Sequence, residues 1–287
     1  MTTGEAIILA IVEGITEFLP VSSTGHLILT ESAMRLHDSP FSRTYIVSVQ
    51  FGAILSVLFL YRQRFLQSLE FYFKLLVAFI PAAILGLLLN DQIDKLLSSV
   101  TTVAVALIIG GVVLILVDKI FHRQIDEAVD DEDTTTVNVV DEFGIEYKKE
   151  VLKKLDISWL QAFIIGCFQC IAMIPGVSRS AATIVGGMSQ KLNIKRAAEF
   201  SFFLAVPTIS AAALYKLMKN FHVVTGENID FLIIGNIVSF IVGMIAIKFF
   251  IGLITRYGLK FFGYYRIILG VVILILMAMG YNLEISE

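Results

Sequence analysis

The chain has 287 residues, of which 57% are hydrophobic and only 16% charged, and its mean hydropathy is +0.83. Soluble domains carry nearer a quarter charged residues, so this composition excludes an ordinary soluble enzyme and reads as a chain that spans the bilayer several times. The net charge of −3 hides a segregation of signs along the chain.

In chain order, apolar segments fall at about 4–19, 23–36, 44–61, 70–89 and 100–117, then at 157–174, 178–190, 197–218, 229–254 and 264–281. A hydrocarbon core takes about 20 helical residues to cross. Some segments are too short, and the short ones come in pairs, each interrupted at a proline, in LPVSSTGH at 19–26 and IPGVSRS at 174–180. A helix that stops at proline and restarts after a few Ser or Gly residues predicts a re-entrant hairpin. The start of the chain lacks a basic region and a small-residue cleavage site, so no removable signal peptide is expected.

Residues 119–156 break the apolar pattern with EAVDDEDTTTVNVVDEF and KKEVLKK. They read as a solvated loop with a small hairpin around Val137–Tyr147, dividing the chain into a first repeat, 1–118, and a second, 157–287. Three landmarks support the repeat. Pro20 and Pro175 are 155 residues apart, LYR at 60–62 and LYK at 214–216 are 154 apart, and IIGGVVLIL at 108–116 echoes IILGVVILI at 267–275 at an offset of 159. The expected fold is therefore all-α: one polytopic membrane domain over 1–287, built as two inverted repeats, each with one re-entrant hairpin and three transmembrane helices. Three spans is an odd number, which inverts the second half. With this topology fifteen Lys and Arg collect on one face against five on the other. The positive-inside bias then places loop 119–156 in the cytoplasm and both termini outside.

Two polar clusters fall at the two breaks, where inverted transporter-like repeats bring discontinuous helices together near the midplane. Glu13 and Glu17 are four apart and share a helical face, and Ser22, Ser23, Thr24 and His26 follow Pro20. Two carboxylates in lipid are costly unless they meet a cation, share a proton or line water. The second cluster, PGVSRSAAT at 175–183, places Ser178 as helix N-cap beside Arg179, Ser180 and Thr183, with no acid within twelve residues of the arginine. A helix start, a guanidinium and hydroxyls together predict an oxyanion site, most naturally for phosphate. Joined across the repeat, the clusters need a proton or a divalent cation between the Glu13/Glu17 carboxylates and a diphosphate, and Mg²⁺ or Ca²⁺ would satisfy both charges. That set is equipment for phosphoryl transfer. Stability alone would instead pair Arg179 with Glu13 or Glu17.

The remaining polar groups are read more plainly. Cys167 and Cys170 count as packing residues, Glu31 and Glu199 as interfacial, and Tyr61, Tyr72 and Tyr265 as belt aromatics. Asn236 either lines a cavity or bonds a neighbouring helix, and His37, His122 and His222 fall in loops.

EGITEFLPVSSTGH at 13–26 and PGVSRSAAT at 175–183 resemble the two signature motifs of the undecaprenyl-diphosphatase family, which is linked to bacitracin resistance, and the resemblance covers nearly the whole chain. It implies a bacterial integral-membrane phosphatase that depends on a divalent cation. Such an enzyme converts undecaprenyl diphosphate to undecaprenyl phosphate and inorganic phosphate, and thereby recycles the carrier of cell-wall synthesis. Carried over by position, it implies Glu13 and Glu17 as acids and metal ligands, and Ser23 and His26 as hydroxyl and imidazole. Ser178, Arg179 and Thr183 become phosphate-binding groups, to which the residue reading adds Ser180. Ser23 as nucleophile with His26 as base is the expected arrangement, with direct water attack and a nucleophilic His26 open beside it. The site is expected to open to the outer face. Expected partners are a polyprenyl diphosphate and bilayer lipids, with no nucleic acid; whether the chain forms a homodimer stays open. The competing reading is a lipid-phosphate transporter, a flippase without hydrolysis. A third, weaker one is an ion-coupled transporter of a small anion. The hydrophilic loop near 126–150 is longer and more acidic than the resemblance leads one to expect.

Overall fold

The computed structural model describes residues 1–36, 39–65, 69–89, 96, 99–122, 125, 134–140, 146–152, 155–220, 223–226, 228–281 and 283. His37, His222 and the acidic run 126–133 lie outside the described residues.

The first half contains α1 (Thr3–Thr16), α2 (Ser23–Met34), α3 (Pro40–Leu60), the single turn α4 (Arg62–Phe65), α5 (Leu69–Leu88) and α6 (Val100–Ile120). Strands β1 (Thr134–Val140) and β2 (Glu146–Leu152) pair antiparallel, with Val137 opposite Lys149, so the hairpin expected in the hydrophilic loop forms. The second half contains α7 (Trp159–Ile171), α8 (Arg179–Ser189), α9 (Ile194–Lys219), α10 (Ile229–Tyr257) and α11 (Lys260–Ala278). Six of these helices, α3, α5, α6, α9, α10 and α11, are long and apolar enough to cross a membrane, and α7 is a shorter apolar helix. Each half thus runs two short helices and then three long ones.

Local sequence sets the helix starts. Thr2, Ser39 and Ser158 close capping boxes on α1, α3 and α7, with Pro40 in the first turn of α3. The spanning helices turn large apolar side chains outward, among them Phe59, Ile109, Leu116, Ile245 and Ile268, all more than half exposed. In a bilayer those faces meet lipid, so association between helices rests on close packing and buried hydrogen bonds.

The pairing of helices exchanges between the halves. α1 packs on α10 as α7 packs on α5, and α3 packs on α10 as α9 packs on α5; α6 and α11 pack on each other. Small residues mark equivalent crossings. A side chain at Gly111 would stand 2.6 Å from the Gly263 carbonyl and 2.7 Å from Ile267, and one at Gly270 would stand 2.7 Å from the Ala104 carbonyl and 2.7 Å from Ile108. The second set of contacts is the first shifted by the 159-residue offset read from the sequence. Contacts of Asp118 with Leu259, and of Gly270 with Ala104, show that α6 and α11 run antiparallel.

An aromatic seam ties the first break to the second half. Phe18 meets Phe202 edge-on at 5.4 Å, Phe202 meets Phe250 at 6.0 Å, and Phe250 meets Phe262 at 5.4 Å. Phe18, Phe202 and Phe250 are fully buried, so the residue following Glu17 is anchored in the core.

Some readings change. Glu31 and Glu199, assigned to the interface, are both only 3% exposed. Glu199, near the start of α9, is ion-paired with Arg64 of α4. Cys167 is exposed and so lies on an outward face, while Cys170 donates its thiol to the Gly166 carbonyl within its own helix. Asn236 bonds a neighbouring helix, its amide lying 2.7 Å from the Ser48 hydroxyl.

Candidate active site at two helix breaks

α1 ends at Glu17, the C-cap, whose N–H bonds the Glu13 carbonyl at 2.9 Å, and Pro20 rules out continuation. α2 restarts after Ser22. In the second half α7 gives way to the turn through Pro175 and Gly176, and α8 starts at Arg179 behind the N-cap Ser178. Gly176 has φ +89°, and a side chain there would run into the Val103 carbonyl on α6. The two N-caps match in an uncommon way: Ser22 has φ 69° and Ser178 has φ 75°, both in the left-handed region despite carrying a side chain. Each such conformation costs about 1–3 kcal/mol and persists only where the surroundings fix it. Ser178 is partly compensated, its hydroxyl accepting from the Ala181 N–H at 3.3 Å, whereas Ser22 makes no side-chain cap bond.

The two breaks meet through side chains from opposite halves. Arg179 donates from Nη2 to Glu17 Oε1 at 3.0 Å, and the Ser23 hydroxyl donates to Glu17 Oε2 at 3.2 Å. Nη1 of Arg179 points the other way, to the Ser201 carbonyl at 2.9 Å and the Ser201 hydroxyl at 3.3 Å on α9. The Nε–H of Arg179 is buried and has no acceptor among the described residues. The ion pair is largely enclosed, with side-chain exposures of 13% for Arg179 and 8% for Glu17. Glu13 lies one turn back on the same face of α1, fully buried.

The other predicted residues surround this contact in different roles. The Ser180 hydroxyl donates to the Leu19 carbonyl at 2.8 Å, a direct tie between the hairpins. Thr183 Oγ1 lies 2.6 Å from the Ser201 hydroxyl and 2.9 Å from the Arg179 carbonyl. Both Ser180 and Thr183 are fully buried, so they shape the cradle from behind. Ser178, half-buried, has its hydroxyl 3.0 Å from that of Ser180. His26 turns away from Ser23. Its Nδ1 is 2.8 Å from the Ser22 carbonyl and its Nε2 is 2.7 Å from the Tyr265 hydroxyl. A carbonyl only accepts, so Nδ1 carries the proton and Nε2 faces Tyr265. The group bonded to the Ser23 hydroxyl is therefore Glu17 and not His26, because α2 presents the two side chains to different neighbours.

Three residues at the site escape the reading of the sequence. Ser201 is a hydroxyl within an apolar span, with no local signal. Tyr265, grouped there with the belt aromatics, is the hydrogen-bond partner of His26. Arg266 does carry a signal, a charge inside the apolar segment 264–281, the same signal that singles out Arg179. It is fully buried and reaches the carbonyls of both breaks, Pro20 at 3.2 Å and Val177 at 2.8 Å.

The profile of the bacitracin resistance protein BacA family matches residues 6–272. The chain belongs to this family. Among similar curated proteins, the undecaprenyl-diphosphatase of Bdellovibrio bacteriovorus is 52% identical over 279 residues, covering 97% of each chain. That of Flavobacterium psychrophilum is 51% identical over 275 residues, covering 95% of each. That of Porphyromonas gingivalis is 46% identical, covering 99% of this chain and 100% of the relative. The match to the BacA family takes in both helix breaks and every residue of the Glu17–Arg179 contact.

Proposed function

We propose that this protein hydrolyses undecaprenyl diphosphate to undecaprenyl phosphate and inorganic phosphate at the paired helix breaks. The observation that carries this reading is the Ser23–Glu17–Arg179 chain of contacts. A hydroxyl, a carboxylate able to take its proton, and a guanidinium fork with an unused buried N–H exceed what binding alone requires.

Arg179 holds the terminal phosphate, its free Nε–H and the N–H groups opening α8 donating to phosphate oxygens. Ser23 Oγ attacks phosphorus as Glu17 accepts the hydroxyl proton. An O–P bond forms to Ser23, the bridging P–O bond breaks, and undecaprenyl phosphate leaves with the electron pair. Water then attacks the phosphoserine, the proton on Glu17 returns to Ser23, and inorganic phosphate departs. Ser178, Ser180 and Thr183 hold the start of α8 in place.

A divalent cation fits these residues. Glu13 and Glu17 stand one turn apart on one face of α1, and carboxylates brought up to a diphosphate call for a cation between them. Mg²⁺ is commonly held by one or two carboxylates together with water and phosphate oxygens, and Ca²⁺ takes the same oxygen donors. Glu13 and Glu17 would hold the ion, and it would supply charge neutralisation at the phosphate.

The exchanged helix pairings and the antiparallel α6 and α11 support two repeats inverted about an axis in the membrane plane. On this reading, and with the positive-inside bias, the strand hairpin faces the cytoplasm, both termini lie outside and the first hairpin enters from the outer face, where the site receives the lipid headgroup.

The test is release of phosphate from undecaprenyl diphosphate by the purified protein in detergent, with and without EDTA. Release that stops with EDTA is expected. Lipid movement across vesicles with no phosphate released would establish the transporter reading instead.

A further inference from the structure

Arg266 is among the largest fully buried side chains of the described residues. Its hydrogen bonds run to main-chain carbonyls, and their distribution is informative. Nη1 donates both to the Pro20 carbonyl at 3.2 Å and to the Val177 carbonyl at 2.8 Å, so one nitrogen joins the two helix breaks. Nη2 donates to the Gly176 carbonyl at 2.9 Å and the Ala106 carbonyl at 3.3 Å, which ties the second break to α6. Irregular backbone at membrane depth survives only when its polar groups are satisfied inside the protein. Here one guanidinium satisfies carbonyls at both irregular segments.

Two of those carbonyls lie just before the strained N-caps: Val177 adjoins Ser178, and Pro20 stands two residues before Ser22, both serines having left-handed φ. Ser23 and Arg179 follow those serines as the first residues of α2 and α8. The packing makes space for this arrangement, since any side chain at Gly110 on α6 would overlap the guanidinium. An ammonium on a flexible stem lacks the planar fork needed to hold both breaks and α6 together.

We propose that Arg266 is a positioning residue whose fork fixes the two breaks against each other and so sets the distance between Ser23, Glu17 and Arg179. The proposal rests on the hydrolase reading. It concerns turnover rather than binding, because a misplacement of about 1 Å costs on the order of 100-fold in rate.

The experiment measures phosphate release from undecaprenyl diphosphate by purified wild type, Arg266→Lys, Gly110→Ala, Arg179→Lys and the Arg266→Lys/Arg179→Lys double variant, each checked for a folded monodisperse peak. Arg266→Lys should lower kcat by about 100-fold with KM within about threefold. Gly110→Ala, which keeps every polar group and favours the helix, should lower kcat in the same sense by about tenfold through displacing the fork. The double variant should be little worse than the poorer single one, because residues acting as a unit are not additive. A folded Arg266→Lys with wild-type kcat, or losses that multiply in the double variant, would overturn the proposal. If Arg266→Lys does not fold, Gly110→Ala decides alone, and wild-type kcat in that variant overturns it. A wild type that releases no phosphate sinks the hydrolase reading and this proposal with it, a pattern distinct from an active wild type with equally active variants.

Discussion

Replacing Arg179 by lysine keeps the charge and removes the fork, which isolates what the geometry contributes. The guanidinium reaches in two directions at once, to Glu17 at 3.0 Å and to the Ser201 carbonyl at 2.9 Å. A lysine ammonium holds one of these anchors and surrenders the other. Each charge-assisted hydrogen bond is worth about 1.5–3 kcal/mol, and about 1.4 kcal/mol is tenfold in rate. Arg179→Lys should therefore lose on the order of 10- to 150-fold in kcat/KM. Alanine removes the charge as well and leaves the Glu17 carboxylate, 8% exposed, with the Ser23 hydroxyl as its remaining side-chain contact among the described residues. Breaking a buried pair from one side costs about 3–5 kcal/mol, so Arg179→Ala should fold with a lowered Tm and show no turnover above background. The assay is phosphate release at saturating lipid in detergent, with thermal unfolding followed in parallel. Lysine and alanine variants within about twofold of wild type, or of each other, would refute the reasoning.

Other expectations follow from contacts outside the site. Gly52→Ala should lower Tm, because the new methyl meets the Asn236 main chain at 2.5 Å, which cannot rotate aside; overpacking of this kind costs about 1–3 kcal/mol. Asp118→Ala should destabilise by about 1–2 kcal/mol with turnover retained in the folded fraction. The Asp118 carboxylate accepts from the Leu259 and Lys260 N–H groups and so caps α11 from α6. Ser22→Gly and Ser178→Gly should diverge in thermal stability. Glycine relieves the positive φ at both positions, but only Ser178 loses a cap bond to Ala181, so Ser178→Gly should be the less stable by roughly a few tenths of a kcal/mol.

The two interrupted helix pairs and six long helices were legible because proline, apolar length and Ser/Gly punctuation are local signals. The helix limits fall within a few residues of the apolar segments. The offset near Gly111 and Gly270 was also readable, since small residues recur where helices cross closely. Convergence of Glu17 with Arg179 was inferable only through the repeat, because the two residues are 162 apart in sequence. What the sequence could not convey was allocation among hydroxyls. Nothing local distinguishes Ser180 and Thr183, turned into protein contacts, from Ser23 beside Glu17. His26 was paired with Ser23 by proximity in sequence, yet its partner Tyr265 lies 239 residues away. Arg266 stood among apolar residues as plainly as Arg179 did, but no flanking motif marked it, and its acceptors are carbonyls, which every residue carries.

The central claim is that a carboxylate on one helix break and a guanidinium on the other act together on a lipid diphosphate. It is tested most directly by following both products, undecaprenyl phosphate and free phosphate, for purified wild type and Glu17→Gln. Wild type should form the two in equal amounts, and Glu17→Gln, which keeps its shape but cannot take the Ser23 proton, should form neither. Full activity in the glutamine variant, or an inert wild type, would contradict the account.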